Sequence, residues 1–317
     1  MKIKVLKFGG TSVGSIEAIK RSADIIHDWS KKSKVIAVLS AMSGETDRLI
    51  NLTKSFSKNP NPIDFDNAIS SGENVSCALM SICLNNQKIK AKSLLSWQIP
   101  IITSSEHMKS RILSINKKFL YDELENFEVL VIPGFQGINN KGELTTLGRG
   151  GSDTSAVALA AAMETECIIY TDVEGVFTTD PNIVPKAKKI NKISYEEMLE
   201  LASQGAKVLQ TRSVELAMRK NTKLSVRSSF KPKKIGTMIT DEKSVLENNT
   251  VSGITYSKDE AKITLSRVQD KPGVSSKIFG PLAKGNINVD MILQNISQDG
   301  KFANLSFTLP RLDLEKA

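Results

Sequence analysis

The sequence predicts an α/β fold in three layers, with helices on both faces of a mostly parallel central sheet, followed by a smaller α+β unit. Three observations carry this prediction. Short continuous apolar runs alternate with segments of helical period through roughly the first 230 residues, the pattern of repeated βα units. Glycine-rich turns stand where an apolar run gives way to a helical segment. The alternation then weakens over Ser229–Asn249 and restarts as a shorter β-α-β-β pattern.

Taken in order, Ile3–Phe8 reads as a short strand closed by the turn Gly9-Gly10-Thr11-Ser12. Ser15 is placed to cap a helix on which Ile16, Ile19, Ala23 and Ile26 recur at helical spacing. Val35–Leu39 is apolar throughout, as expected of a strand buried on both faces. A helical apolar pattern spans Asp66–Leu84, and Val129–Ile132 is another buried strand, ending at Pro133-Gly134. Alanine-rich Ser152–Met163 predicts a helix capped by Ser152 or Asp153, and Cys167–Tyr170 predicts the next strand. The expected divisions are 1–235 for the first domain, 236–254 for a linker and 255–317 for the second domain. In the latter, Ala261–Val268, Asn288–Ile296 and Phe302–Leu309 read as strands and Gly273–Lys284 as a helix.

Composition narrows the class. The chain has 317 residues, 40% hydrophobic and 24% charged, enough for a sizeable core, and a prior of roughly 150 residues per domain suggests two domains. No uncharged apolar run approaches the ~18 residues a membrane span needs. The N-terminus, Met1-Lys2-Ile3-Lys4-Val5-Leu6-Lys7, alternates lysine with apolar residues where a signal peptide would run unbroken. A cytoplasmic location without a membrane partner is therefore expected. Cys77, Cys83 and Cys167 form no CxxC pair, and His27 and His107 are the two histidines, so neither a disulfide framework nor a metal centre is expected. Both histidines read as structural or solvent-facing. The net charge of +9 comes mostly from scattered lysine, with short clusters at Lys186–Lys192 and Lys231–Lys234. Aromatics, 5% of the chain, do not interleave with arginine, so no nucleic-acid partner is expected.

Three glycine-rich elements carry the chemistry: Lys7-Phe8-Gly9-Gly10-Thr11-Ser12, Gly148-Arg149-Gly150-Gly151-Ser152-Asp153 and Gly175-Val176-Phe177-Thr178-Thr179-Asp180-Pro181. Glycine lets backbone N–H groups approach an anion, and a following helix N-terminus favours negative charge. Lys7 and Arg149 set a cation beside two of these turns, which fits a polyphosphate site. The P-loop GxxxxGK[ST], a GxGxxG after the first strand and the protein-kinase signatures are all missing. Phosphoryl transfer needs chiefly positioning and charge neutralisation, so a site without catalytic histidine can perform it. A carboxylate acceptor, already ionised at pH 7, needs no general base.

In chain order, Lys7–Val13, Ser40-Ala41-Met42 through Thr46-Asp47, Ser71-Gly72-Glu73, Gly148–Ser155 and Thr171–Pro181 resemble the aspartate kinases of the amino-acid kinase superfamily. Asp270-Lys271-Pro272-Gly273 followed by Asn288–Asn295 resembles the ACT regulatory region attached to those kinases. The resemblance covers essentially the whole chain. It implies an amino-acid-kinase fold and ATP-dependent phosphorylation of the L-aspartate side-chain carboxylate to 4-phospho-L-aspartate, the first step of lysine, threonine and methionine biosynthesis.

The resemblance also implies roles for residues. Lys7 would contact the transferring phosphoryl group and Asp153 would orient Lys7, the two forming the catalytic pair. Gly9, Gly10, Ser12, Gly151 and Ser152 would surround the phosphates, and Thr171, Asp172, Phe177, Thr179, Asp180, Pro181 and Lys207 the rest of the nucleotide. Mg²⁺ would be held mainly through the phosphates, with no protein metal site. Arg149 would pair with the α-carboxylate of aspartate, Glu73 with its ammonium, and Ser40, Thr46 and Gly150 would line the same pocket. Asp270, Gly273, Val274, Asn288, Val289, Asp290 and Gln294 match the half of an ACT pair that contacts a lysine or threonine effector.

A complete ACT unit is β-α-β-β-α-β, and Asp313–Ala317 stand where its second helix would begin. The expectation is an incomplete ACT domain, association into a homo-oligomer (a dimer or more) through residues 261–317, and little inhibition by lysine or threonine. The rival readings are a kinase for glutamate, an acetylated amino acid, carbamate or a nucleoside monophosphate, and a non-catalytic amino-acid-binding regulatory subunit. Lys7, Glu73, Arg149 and Asp153 argue against the last.

Overall fold

The computed structural model describes residues 2–99, 101–148, 150–206, 208–241, 253–256, 259–285, 287–297 and 302–317. They form two compact units, Met1–Thr255 and Tyr256–Ala317. The strands of the first unit are β1 (Ile3–Phe8), β2 (Lys34–Leu39), β3 (Ala91–Ser93), β4 (Ile101–Thr103), β5 (Ile112–Ile115), β6 (Val129–Pro133), β7 (Gln136–Ile138), β8 (Leu144–Thr146), β9 (Cys167–Thr171), β10 (Lys192–Ser194), β11 (Leu224–Ser228) and β12 (Thr237–Thr240). Its helices are α1 (Ile16–Ser30), α2 (Glu45–Phe56), α3 (Pro62–Ile69), α4 (Ser71–Asn86), α5 (Lys117–Asn126), α6 (Gly151–Ala162), α7 (Tyr195–Ser203) and α8 (Thr211–Lys220).

The main sheet runs β10-β12-β11-β9-β1-β2-β6-β3. Every junction is parallel except β11–β12. Side-chain alternation along β1 divides its residues between two cores. Ile3 and Val5 join Ile36, Ile132 and Ile169 beneath α6, which contributes Val157 and Leu159. Leu6 and Phe8 join Leu39 and Tyr170 on the other face, beneath Ile26 of α1 and Met80 of α4. One core on each face makes the three layers, and it explains why β2, β6 and β9 read as nearly unbroken apolar runs. Lys7 shares the parity of Val5 and so points toward α6.

A four-stranded sheet, β5-β4-β7-β8, lies apart from the main one. Its strands have only three or four residues, too few to display alternation in a sequence. Two further expectations need correction. The helical pattern over Asp66–Leu84 is two helices, since Ser70 ends α3 and starts α4. Thr237–Thr240, inside the stretch expected as a linker, form β12 between β10 and β11. The Thr237 hydroxyl accepts the Val176 N–H, at 2.8 Å, which fastens this strand to the chain beyond β9.

The second unit carries β13 (Glu260–Gln269), α9 (Val274–Lys284), β14 (Ile292–Ile296) and β15 (Phe302–Pro310). They form an antiparallel sheet in the order β13-β15-β14 over a small core of Leu282, Ile287, Phe307 and Leu309. The strand expected from Asn288 begins only at Ile292. Among the described residues no helix is long and apolar enough to cross a membrane.

Candidate active site

Parallel strands present their C-terminal ends along one sheet edge, where open α/β sheets bind ligands. A cavity of about 840 Å³ opens there. Lys7, Gly10, Ser40, Thr46, Glu73, Gly150, Gly151, Ser152 and Asp153, all singled out in the sequence, line it together. They come from the ends of β1 and β2 and from the first turns of α2, α4 and α6.

Lys7 Nζ stands 2.6 Å from Asp153 Oδ1, and both side chains are about nine-tenths buried. The approach is an ion pair by distance without the alignment of a hydrogen bond. Asp153 lies in the first turn of α6, where the helix dipole favours an anion. The expected cap of this helix by Ser152 or Asp153 is corrected: the N-cap is Gly150 in the left-handed region, φ 69°, without a side-chain cap. Ser152 and Asp153 instead lie inside the helix and face the cavity. Glycine is required at 150, since a Cβ there would sit 1.8 Å from Gln210 Cγ.

Glu73, in the first turn of α4, is 3% exposed. Burial pushes its carboxyl up to about 8, with the Ala41 amide partly opposing the rise. Its Oε2 has no hydrogen-bond partner within the chain. A buried carboxyl oxygen left without a hydrogen-bond partner beside a cavity is open to a donor from a ligand, an ammonium included. With Lys7 and Asp153 paired and Glu73 protonated at neutral pH, Lys54 and Lys109 outweigh Asp47 among the lining charges, which favours an anionic ligand.

The other expected site residues fall elsewhere. Gly9 donates its N–H to the Tyr170 carbonyl at 3.2 Å, so this amide is spent on β9 and not available to a phosphate. Ser12 is fully buried, and its hydroxyl donates to Ser229 Oγ at 2.8 Å, which braces the turn without reaching the cavity. Thr171 ends β9, beside β1 in the sheet, Asp172, Phe177, Thr179, Asp180 and Pro181 follow it, and none of the six lines the cavity. In that segment the Thr171 hydroxyl donates to Asp172 Oδ1 at 3.1 Å, and Asp180 Oδ1 accepts the Asn182 N–H at 2.9 Å. Arg149 and Lys207 lie outside the described residues.

The cavity is also lined by Asp47, quoted in a motif above but given no role, and by residues that sequence reading passed over: Ile50 and Lys54 of α2, Met108, Lys109, Phe135, Thr146 and Gln210. Helical spacing from Thr46 to Ile50 and Lys54 was a usable signal for α2. Nothing local marks the others, which the small sheet and the start of α8 bring in. His107 proves structural: its Nδ1 pairs with buried Asp66 at 2.9 Å. Among the described residues, no group of three or more His, Cys, Asp or Glu side chains is placed to hold a metal ion.

In the second unit, Gly273 (φ 89°) caps α9, whose first residue is Val274. Gln294 Nε2 donates to Asp270 Oδ1 at 3.3 Å. Val289 packs on the small core, whereas Asn288 and Asp290 are exposed.

Comparison with known proteins agrees with this layout. The amino acid kinase family pattern matches residues 2–228, and the ACT domain pattern matches residues 263–317. The chain is 48% identical to an aspartate kinase of Pseudomonas putida over 320 residues, covering 100% of this chain and 77% of that protein. It is 49% identical to an aspartokinase of Helicobacter pylori, covering 98% and 78%. Among solved structures, E. coli aspartokinase III in complex with aspartate and ADP superposes with a TM-score of 0.79 at 26% identity, covering 98% of this chain and 79% of that one. The same enzyme in complex with lysine and aspartate gives 0.75 at 27%, covering 97% and 79%. A glycine turn with a buried Lys–Asp pair, a carboxyl with a partnerless oxygen in the same cavity and likeness to these enzymes along essentially all of this chain lead to one assignment: the chain belongs to the aspartate kinase family, an amino acid kinase domain followed by an ACT domain.

Proposed function

We propose that this chain transfers the γ-phosphoryl group of ATP to the side-chain carboxylate of L-aspartate, using the cavity at the sheet edge as the meeting point. The observation that carries the reading is Glu73. Its buried, partnerless Oε2 suits an amino acid's ammonium, in the same cavity as the Lys7–Asp153 pair that suits a phosphoryl group. E. coli aspartokinase III, solved with aspartate and ADP, supports the pairing of these two ligands.

Lys7 would neutralise charge on the phosphoryl group in flight, held in place by Asp153. Arg149 would take the α-carboxylate with its planar fork. The acceptor oxygen attacks the γ-phosphorus, the bond to the β–γ bridging oxygen breaks, and ADP leaves. No proton needs removal from the acceptor. Mg²⁺, when bound, would be held mainly through the phosphates and would supply further charge neutralisation. Thr171–Pro181 would hold the remainder of the nucleotide, one strand away from Lys7. Asp270 and Gln294, already in contact, would form part of an amino-acid effector site, lysine or threonine being the candidates.

The test is ADP release with a panel of amino acids, any acyl phosphate being trapped with hydroxylamine. L-Aspartate is expected to react and L-glutamate to fail. A cavity gripping both the ammonium and the α-carboxylate fixes the reach of the side chain, and one extra methylene misplaces the attacking oxygen. Equal rates with the two would overturn the reading.

A further inference from the structure

Arg212, in the first turn of α8, spends its guanidinium on backbone. Nη1 donates to the Leu147 carbonyl at 2.9 Å and Nη2 to the Ser110 carbonyl at 2.8 Å. Burial and the neighbouring Arg111 both push its pKa down, so the cation is kept there against an electrostatic cost. Leu147 leads into the turn that carries Gly150, Ser152 and Asp153, and Ser110 follows Met108 and Lys109 of the cavity wall.

The same two segments are gripped from the other side by an anion. Fully buried Asp66 accepts from the His107 ring at 2.9 Å, the Met108 N–H at 3.0 Å, and the N–H and hydroxyl of Thr146 at 3.1 and 2.6 Å. Ser110 stitches the segments together, donating its N–H and its hydroxyl to the Thr146 carbonyl at 3.0 and 2.9 Å. The junction is tight. Met108 has φ 65°, and a Cβ on Gly148 (φ 79°) would come within 2.9 Å of the Met108 carbonyl oxygen. A non-glycine residue in the left-handed region persists only where its surroundings over-determine it. Gln210, two residues before Arg212, lies directly against Gly150.

We infer that Arg212 is a positioning residue for the acceptor half of the cavity, locking residues 107–110 and the turn after Leu147 into one wall against α8. It touches neither substrate. Its effect is to keep Gly150 where a bound amino acid requires it, while the nucleotide side, apart from Gly151 and Ser152, stands on β1 and β9. This rests on the proposed acceptor cavity. A lysine at 212 keeps the charge but presents one compact ammonium, which cannot span two carbonyls as a planar fork does.

Arg212→Lys and Arg212→Gln test the inference by steady-state kinetics in both substrates and by amide hydrogen exchange without ligand. KM for L-aspartate is expected to rise about 10-fold or more in both variants, in keeping with the cost of small misplacements. KM for ATP is expected to change far less, within about 3-fold, because of the nucleotide contacts only Gly151 and Ser152 adjoin the lost bonds. Exchange is expected to accelerate at 107–110 and 144–151 but not in β1 or α1. Equal shifts in the two KM values, or unchanged aspartate KM, would overturn it. Should neither variant fold, exchange in the unmodified protein decides: the amides of Met108, Ser110 and Thr146 open as one cooperative unit if the wall is locked, and independent opening refutes it. Absence of aspartate turnover in the unmodified protein would instead refute the proposed reaction, leaving the exchange result to judge Arg212.

Discussion

Replacing Glu73 with glutamine is expected to stabilise the first unit while impairing aspartate binding, and the stabilisation carries a pH signature. Burial raises the Glu73 carboxyl from 4.5 to about 8. Between those values the unfolded chain has released the proton while the folded chain retains it. The unfolded state therefore binds fewer protons, so stability falls as pH rises through this window and levels off above it. At ~1.36 kcal/mol per pH unit, the loss between pH 5 and pH 8 is on the order of 3 kcal/mol. Glutamine has nearly the same size and no such titration.

Urea unfolding of both proteins at pH 5, 6.5 and 8 reads the effect, and titrations elsewhere in the chain cancel in the difference. The variant's advantage is expected to be about 1 kcal/mol at pH 5, growing to on the order of 3–4 kcal/mol at pH 8. A difference independent of pH, or a variant less stable at pH 8, would refute the argument from burial. Catalysis supplies the complement. A substrate ammonium requires the ionised carboxylate, so the KM of the unmodified protein for aspartate is expected to fall about 10-fold per pH unit up to the raised pKa. Glutamine removes that slope and raises KM by roughly 10- to 100-fold at pH 8, the worth of a charge-assisted contact.

Lys7→Ala and Asp153→Ala are each expected to lower kcat by ~10²-fold or more with the fold intact by circular dichroism; near-full kcat in a folded Lys7→Ala protein contradicts the phosphoryl role. Gly150→Ala places a Cβ against Gln210 at a left-handed position, and thermal unfolding is expected to register a loss of ~1–3 kcal/mol. Adding Gln210→Ala removes Cγ and Cδ but leaves a Cβ 2.6 Å from the new methyl, so only partial recovery is expected, and full recovery would show that neither that contact nor the backbone conformation costs anything. All five residues of the edge strand β14 are exposed, with Ile292, Leu293 and Ile296 each about half so. Such an edge favours pairing, so light scattering after gel filtration is expected to find this 317-residue chain associated, and Ile292→Lys to weaken the association. A monodisperse monomer would count against it.

Features written in consecutive residues were legible before folding. Continuous apolar runs marked β2, β6 and β9 because strands buried on both faces tolerate no polar alternation. The order and spacing of the glycine turns with Lys7, Glu73 and Asp153 marked the residues that line one cavity, since such turns are written in consecutive positions. Tertiary structure alone decided how each group is spent. Gly9 and Ser12 stand in the same turn motif as Lys7, yet their donors go to Tyr170 and Ser229, which are 161 and 217 residues away in the chain. Thr237–Thr240 looked like linker because a four-residue strand has no legible period, and its place in the sheet comes from partners on β10 and β11. The proton on Glu73 and the grip of Arg212 on Ser110 and Leu147 likewise depend on burial and on backbone carbonyls from distant segments. A residue's type states which bonds it is able to make; the packed chain settles which of them are already taken.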